Sequence, residues 1–453
     1  MRMRGVVMVA GLLALAAAWA QAGLYSDAVL ADSPIGYWRL DETGGTNAPD
    51  ISGGGHDGTY TNTGSITLGQ AGPRPGDGFL GLEADNNAPQ FAGNGHVAVP
   101  GAFLPTGGSP RAFTGWFNGT SSTNQGWLNY GQNSTPNRVS ITAGPDRVAV
   151  AVSGHNFGVN GLGLGAGWHH FGVSLPTSQS NSWQFVIDGV DRTADATTLA
   201  GGTQTINTID NTARRIGAGE NGRIDEVAAF DRALAVEEIQ SHYRTAQEGK
   251  LVSVLGLSEF QTAARNGASP APTGSRVAGA PLFVRERAND SDPQLEVRAF
   301  LKFDLAEMLT QADAVSATLN LHEFNKLNNV NNAPLYIAAV TEAWDATTNL
   351  PSFGQLIDGA SEFSFGTNGP ANAGAAVDID FAIDVANIVR GWQADPSSNH
   401  GLRIRIGDSF VGAAFDHTGP DAPQLVIEHI PEPTTMALLA LGGIGLVVRR
   451  RRT

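Results

Sequence analysis

Three acidic side chains, Asp50, Asp57 and Asp225, are of a type that could hold a hard cation. Calcium takes about six to eight oxygen ligands from carboxylates, backbone carbonyls and water. Asp50 and Asp57 flank the Gly53–Gly55 run, whose carbonyls could complete such a shell, and Asp225 joins them if the first and last strands of its module pair. Calcium there would be structural rather than catalytic. The competing reading makes these residues turn-formers with solvated carboxylates. Trp127 and Tyr130 stand in SSTNQGWLNYGQNS, with polar neighbours on both sides and no strand alternation. An exposed loop that stacks sugar rings on aromatic faces is expected there. His155 and Phe157, in SGHNFG, are further candidates for that ligand-binding face.

Catalytic patterns are scarce. A retaining glycosidase needs two carboxylates about 5–5.5 Å apart, which residues i and i+2 of a strand supply. Asp378-Ile379-Asp380 has that spacing, but it leads into a predicted helix, lacks a glutamate acid partner and reads as a solvated edge. His169 and His170 are adjacent on a predicted strand, so their rings point to opposite faces and cannot chelate one metal. HExxH, GxSxG and phosphate-loop motifs do not occur, and with no cysteine there is no thiol catalysis and no zinc–thiolate site. An enzyme therefore ranks third, behind a non-catalytic binding protein and a structural matrix protein.

The elements that must position these residues read as all-β. The chain has 453 residues, 57 of them glycine, only 16% charged side chains and a formal charge of −15. That length suggests two or three domains, and a cysteine-free chain must be held by packed cores rather than disulfides. Short apolar alternations separated by Gly, Asn, Thr and Ser predict strands around Pro34–Leu40, Gly95–Val99, Phe113–Asn118, Arg138–Ala143, Arg147–Val152, Trp168–Ser174, Trp183–Asp188 and Gly222–Asp231. A helix is expected at Ala235–Arg244. Trp38, Trp116 and Trp168 fall in strand patterns and read as core. A second β-rich stretch follows a polar connector at Gln247–Leu251, with a helical turn expected at Ile383–Trp392. The acidic balance argues against nucleic acid and anionic membranes, and fits calcium, neutral glycans or simple solubility.

Both termini carry addresses. Arg2 and Arg4, the apolar Val6–Ala20 and the small-x-small Ala20-Gln21-Ala22 form a secretory signal peptide over residues 1–22. At the other end stand Pro431, Glu432 and Pro433, then the apolar Met436–Val448, then Arg449, Arg450, Arg451 and Arg452. As a helix that run is about 20 Å long, short of a bilayer core of about 30 Å. Residues 431–453 resemble the PEP-CTERM sorting signal of Gram-negative bacteria. The resemblance implies export, a transient anchor, an exosortase as partner and delivery to the cell surface or matrix. A permanent single-span tail anchor is the alternative.

Between these ends lie two modules. YWRLDETGGT, DISGGGHDGTY, GWHHFGVSL, WQFVIDGV and GRIDEVAAFDRALAVEEIQSHY look like the laminin-G-like branch of the concanavalin-A-like jelly rolls, over residues 23–247. PLFVRERAND, RAFLKFDL, VSATLNLHEF, YIAAVTEAWD and IDVANIVRGWQADPSSNHGLRIRI resemble the DNRLRE family of β-jelly-roll modules, over residues 251–430. Lys302, Asp304, Trp344, Asp345 and Trp392 match positions of that family and read as structural. The resemblances imply two jelly-roll β-sandwiches in tandem, the first of a family that binds glycans or proteins, often beside a structural calcium, and the second related to carbohydrate-binding modules; extracellular glycans or polysaccharide are the expected partners.

Overall fold

The computed structural model describes residues 23–429 apart from 120–125, 153–154, 203–204, 210–213, 218–220, 267–272, 277–281, 287–295, 306–313, 328–332, 348–361, 368–375 and 408–410. The expected signal peptide and the C-terminal apolar helix lie outside the described residues. The chain is all-β in class and divides into two units, Met1–Val252 with Pro433–Thr453, and Ser253–Glu432. No helix among the described residues is long and apolar enough to cross a membrane.

The first unit is a sandwich of two antiparallel sheets. One has eight strands in the order Val190–Asp191, Gln184–Ile187, His169–Leu175, Arg111–Gly119, Gly222–Phe230, Asn87–Phe91 and Ile66–Ala71, with Gly36–Trp38 also paired to Gly222–Phe230. The other has nine, in the order Thr197–Ala200, His155–Asn160, Arg147–Val152, Arg138–Gly144, Gly126–Gly131, Arg214–Ile216, His96–Val99, Gly58–Thr61 and Asn47–Ala48. Strand side chains alternate between faces. Val139, Ile141, Val148 and Val150 of one sheet therefore meet Phe113, Phe171, Val173 and Ile224 of the other in the core.

Two helices, Leu24–Ala31 and Val236–Glu248, pack on the outer face of the eight-stranded sheet, where Tyr25, Val29, Ile239 and Ala246 join Trp116, Val186 and Ala228 in a second cluster. Gly172 permits the close approach, since a Cβ there would lie 2.3 Å from Ile239 Cγ2. Glu238 caps the second helix by accepting the Ala235 N–H at 2.6 Å, and Gly249, with a φ of 65°, ends it. Trp38, Trp116 and Trp168 are buried, as their strand patterns predict. The expected connector at Gln247–Leu251 is shorter than its composition suggests, because the helix runs to Glu248 and a strand begins at Leu251.

The second unit carries eleven strands in one hydrogen-bonded network. Leu251–Asn266 and Ala314–Leu327 are long, and each contains register shifts that let it pair on changing sides. Through them the network closes on itself: Leu251–Asn266, Gln424–His429, Ala314–Leu327, Val411–Phe415, Leu282–Glu286, Val297–Phe303 and back to Leu251–Asn266. Such bulged, shared strands are how a sheet turns a corner. Inside lie Leu282, Leu301, Leu319, Ile337, Ile404 and Phe415. The expected helical turn is Ala386–Ala394, burying Val389 and Trp392, while Ile383 belongs to the preceding strand Ala376–Asp384.

Candidate functional site

With both helices on the eight-stranded sheet, the polar alternates of the nine-stranded sheet line a face turned away from the core. Its composition follows from the strand pattern. In Arg138–Gly144 the apolar Val139, Ile141 and Ala143 enter the core, so Arg138, Ser140 and Thr142 face out. The same parity turns out Arg147, Ala149 and Ala151 of Arg147–Val152, and Asn156, Gly158 and Asn160 of His155–Asn160. Cross-strand pairing then builds a row from Thr59 through Ala98, Arg215, Asn129, Ser140 and Ala151 to Asn156. The floor is made of short side chains, mostly covered, while Arg215 is exposed and Arg138 and Arg147 are partly so.

The electrostatics of this face differ from those of the chain. None of the nine strands contains Asp or Glu; Arg138, Arg147 and Arg215 face out from them, while Arg214 shares the core-side parity of Ile216. Burial lowers the Arg138 pKa, and the nearby charge of Arg215 lowers it further; burial lowers that of Arg147. Arg138 donates to the Asn133 amide oxygen at 2.9 Å. Arg147 lies along the sheet toward Asn156, whose amide, turned to satisfy both its atoms, accepts from Arg147 at 3.1 Å. The Arg147 Nε is buried and finds no acceptor among the described residues. Elsewhere in this unit Arg39, Arg192 and Arg232 pair with carboxylates. Arg138, Arg147 and Arg215, with no carboxylate partner among the described residues and with hydroxyls and amides beside them, offer donors to an oxygen-rich ligand.

The structure overturns the expected aromatic face. Trp127 and Tyr130 are core residues, 0% and 1% exposed. They lie on strand Gly126–Gly131, not on a loop, and a register shift between Gly126 and Leu128 buries Trp127 and Leu128 in succession, which erases the alternation that would betray a strand. Trp127 stands edge-on to Phe171 at 4.6 Å, and the Tyr130 hydroxyl accepts from Arg111 at 2.6 Å. Phe157 packs against Trp183 and Phe185 in the core. His155 lies over Gly201 at the strand end. These four residues make no common exposed surface. The arginines, Asn129, Ser140, Thr142 and Asn156 were missed as a site, although the alternation in RVSITAG and RVAVAV was their signal.

The three carboxylates are not gathered either. Asp50 spends its oxygens on the turn, accepting from the Tyr37 and His56 N–H groups at 2.9 Å and from Ser52 at 3.0 Å. Burial works to raise its pKa, and these hydrogen bonds overcome that and hold it below the usual range. Asp57 accepts the Asp50 N–H at 2.9 Å. Asp225 is buried and accepts from Asn86 Nδ2 at 2.7 Å. Among the described residues no group of three or more His, Asp or Glu is placed to hold a metal ion. The reason is topological: Asp50 bridges Trp38, whereas Asp225 pairs across to Trp116 on the far side of its strand.

Asp225 instead belongs to an acidic pair that the sequence reading did not single out. At the shift in register between Asp225 and Ala228, Glu226 adopts a left-handed φ of 52°. Glu226 accepts from the Tyr37 hydroxyl and from Arg39 Nε at 3.1 Å, while Arg39 also binds Glu83 at 2.7 Å. Both carboxyls are fully buried. Burial raises both pKa values, and the charge of Glu226 pushes Asp225 further. Tyr37 and Arg39 occupy the Glu226 oxygens and Asn86 one oxygen of Asp225, tying the closing strand to residues elsewhere in the unit.

His169 and His170 do point to opposite faces: His169 Nδ1 meets Asp188 at 2.7 Å, while His170 is buried against Tyr25 and Trp116. In the second unit Asp378 and Asp380 are exposed on a strand rather than leading directly into a helix, with His322 Nδ1 at 2.9 Å from Asp380. Lys302 donates to Glu259 and to the Trp344 carbonyl, and sits 5.2 Å over the Trp344 ring. Trp344 and Trp392 are buried. Glu362 joins the buried Arg403 to Arg405, which stacks 4.1 Å over Tyr336.

Residues 429–452 match the PEP-CTERM protein-sorting motif. That motif marks the chain for export and sorting to the cell surface, and it is the signal that exosortase recognises. No curated protein matches the chain. Among solved structures, similar chains include domain 4 of AbnA, a GH43 extracellular arabinanase from Geobacillus stearothermophilus in complex with arabinotriose, at 14% identity and a TM-score of 0.35 over 47% of this chain and 98% of that one. The Trypanosoma rangeli sialidase is similar at 11% identity and a TM-score of 0.29, over 47% of this chain and 32% of its own. The botulinum neurotoxin serotype D binding domain is similar at 9% identity and a TM-score of 0.30, over 86% of this chain and 97% of that one.

Proposed function

We propose that this exported, surface-sorted chain is a non-catalytic protein that adheres to extracellular polysaccharide through the outer face of its nine-stranded sheet. Its two units are, on this reading, the laminin-G-like and DNRLRE-like jelly rolls whose motifs they carry. The observation that supports adhesion is Asn129 with Arg138, Arg147 and Arg215, half-buried or exposed donors on one face of the nine-stranded sheet that neither helix covers. Sugars are recognised by such hydroxyl, amide and guanidinium groups. The burial of Asp225 and Glu226 removes that one pair as a hydrolytic candidate, since a carboxylate pair that no substrate can reach performs no hydrolysis.

The test is affinity electrophoresis of the purified chain through gels containing a panel of polysaccharides, with Asn129→Ala alongside. Retardation by at least one polysaccharide, weakened in the variant and insensitive to EDTA, is the expected result. Silence across the panel from folded protein rejects adhesion in favour of a structural matrix role. Release of reducing sugar from any member of the panel rejects the non-catalytic assignment.

A further inference from the structure

The nine-stranded sheet is singular in a chain of formal charge −15 for containing four arginines and neither Asp nor Glu. We infer that its outer face takes an anionic polysaccharide, whose carboxylate or sulfate groups pair with Arg138, Arg147 and Arg215. The inference rests on the adhesive reading above and narrows its ligand class.

The charge argument is local. Acidic side chains elsewhere make the protein as a whole repel polyanions, and at an ionic strength near 0.15 M that repulsion fades beyond about 8 Å. What a ligand on this face meets is set by its nearest groups. Arg215 is exposed on the row that runs through Asn129, and Arg138 pairs with Gly131, two residues along that same intervening strand, so both guanidiniums lie on one face. Like charges on one face repel, and an anion bound beside them relieves that cost. Arg147 is half-buried on the same face, and with its Nη2 donating to the Asn156 amide oxygen it adds a positive charge beside the ligand. A guanidinium grips a carboxylate or sulfate through two parallel N–H···O bonds. Asn129, half-buried in the row beside Arg215, is placed for the sugar hydroxyls between charged groups. A neutral glycan would leave the arginines unpaired; an anionic one satisfies both kinds of donor.

The experiment measures binding of the full chain to polygalacturonate, to dextran sulfate and to uncharged dextran and starch across a salt series, for the parent, Arg215→Gln and Arg138→Gln/Arg215→Gln. Arg215 is exposed, so its variant keeps the fold, which an unchanged melting temperature verifies. The expected result is binding to an acidic polysaccharide that falls as salt rises and weakens on the order of fivefold for each guanidinium removed, the scale of a well-made exposed charge pair. Preference for polygalacturonate assigns carboxylate as the recognised group, and preference for dextran sulfate assigns sulfate. Binding to neutral polysaccharide alone, indifferent to salt and to both variants, overturns the inference and leaves adhesion standing. Silence on every polysaccharide overturns both. Equal binding of single-stranded DNA, lost in the same variants, also overturns it, because the face would then be a general polyanion trap.

Discussion

Replacing Trp127 by alanine separates a core residue from a ligand residue in one measurement. The ring is fully buried, edge-on to Phe171 at 4.6 Å, and its Nε1 donates to the Trp116 carbonyl at 3.4 Å. It lies directly over Gly115, where a Cβ would come within 2.2 Å of Trp127 Cζ2. The neighbours are sheet backbone and large rings, which cannot collapse into the space left behind. The substitution should therefore cost about 3–5 kcal/mol, the range for removing a large aromatic from a core. For a unit of this size, each kcal/mol lowers the midpoint by about 2–4 °C, so a fall of roughly 6–20 °C is expected. The assay is thermal unfolding of the purified chain by near-ultraviolet circular dichroism, with polysaccharide binding measured well below the variant's midpoint. Binding should persist there. A midpoint within a degree or two of the parent, together with lost binding, would refute the strand placement and return Trp127 to an exposed ligand face.

The buried acidic pair makes a prediction of unusual sign. Carboxyls whose pKa is higher folded than unfolded bind protons more tightly in the folded state, so their contribution to stability is greatest at low pH and is lost as pH rises from about 4 through their raised values. Asp225→Asn, which keeps the acceptor for Asn86, should raise the midpoint at pH 8 and flatten its pH dependence; a variant that tracks the parent from pH 5 to 8 refutes it. In the second unit, the hydrogen bond that His322 donates to Asp380, ahead of the charge of Asp416, raises the His322 pKa. That stabilisation is present below the unfolded value and disappears as pH rises through the raised one. Asp380→Asn should lower the His322 titration midpoint seen by NMR, and an unmoved midpoint would show the contact to be idle. Glu362→Ala should leave the buried Arg403 without its carboxylate and cost about 3–5 kcal/mol, read by denaturant unfolding; a loss below about 1 kcal/mol, the scale of an exposed pair, contradicts the burial.

How legible the protein was from its residues varies by scale. Strands at Arg138–Ala143, Arg147–Val152 and Leu402–Ile406 were readable because alternation is a local signal: a residue's face is set by its parity with near neighbours. The helix after Gly222–Phe230 was readable from its acidic start, and the C-terminal address from Pro431 to Arg452, since a sorting signal acts as linear sequence. The binding face was only half legible. RVSITAG and RVAVAV put Arg138 and Arg147 on the side opposite the core, yet nothing local says that Arg215 shares that face across the intervening strand Gly126–Gly131, or that the nine strands without an acidic residue would all join one sheet. Sheet neighbours are chosen by packing among segments distant in the chain. The same holds for what went wrong: one bulge buried Trp127 and Leu128 in succession, and one strand's position parted Asp225 from Asp50. Composition and periodicity determined the all-β class and the strands, and the terminal sorting motif the destination; the tertiary structure alone decided which charges share a face, because strand order and register depend on contacts that no local pattern encodes.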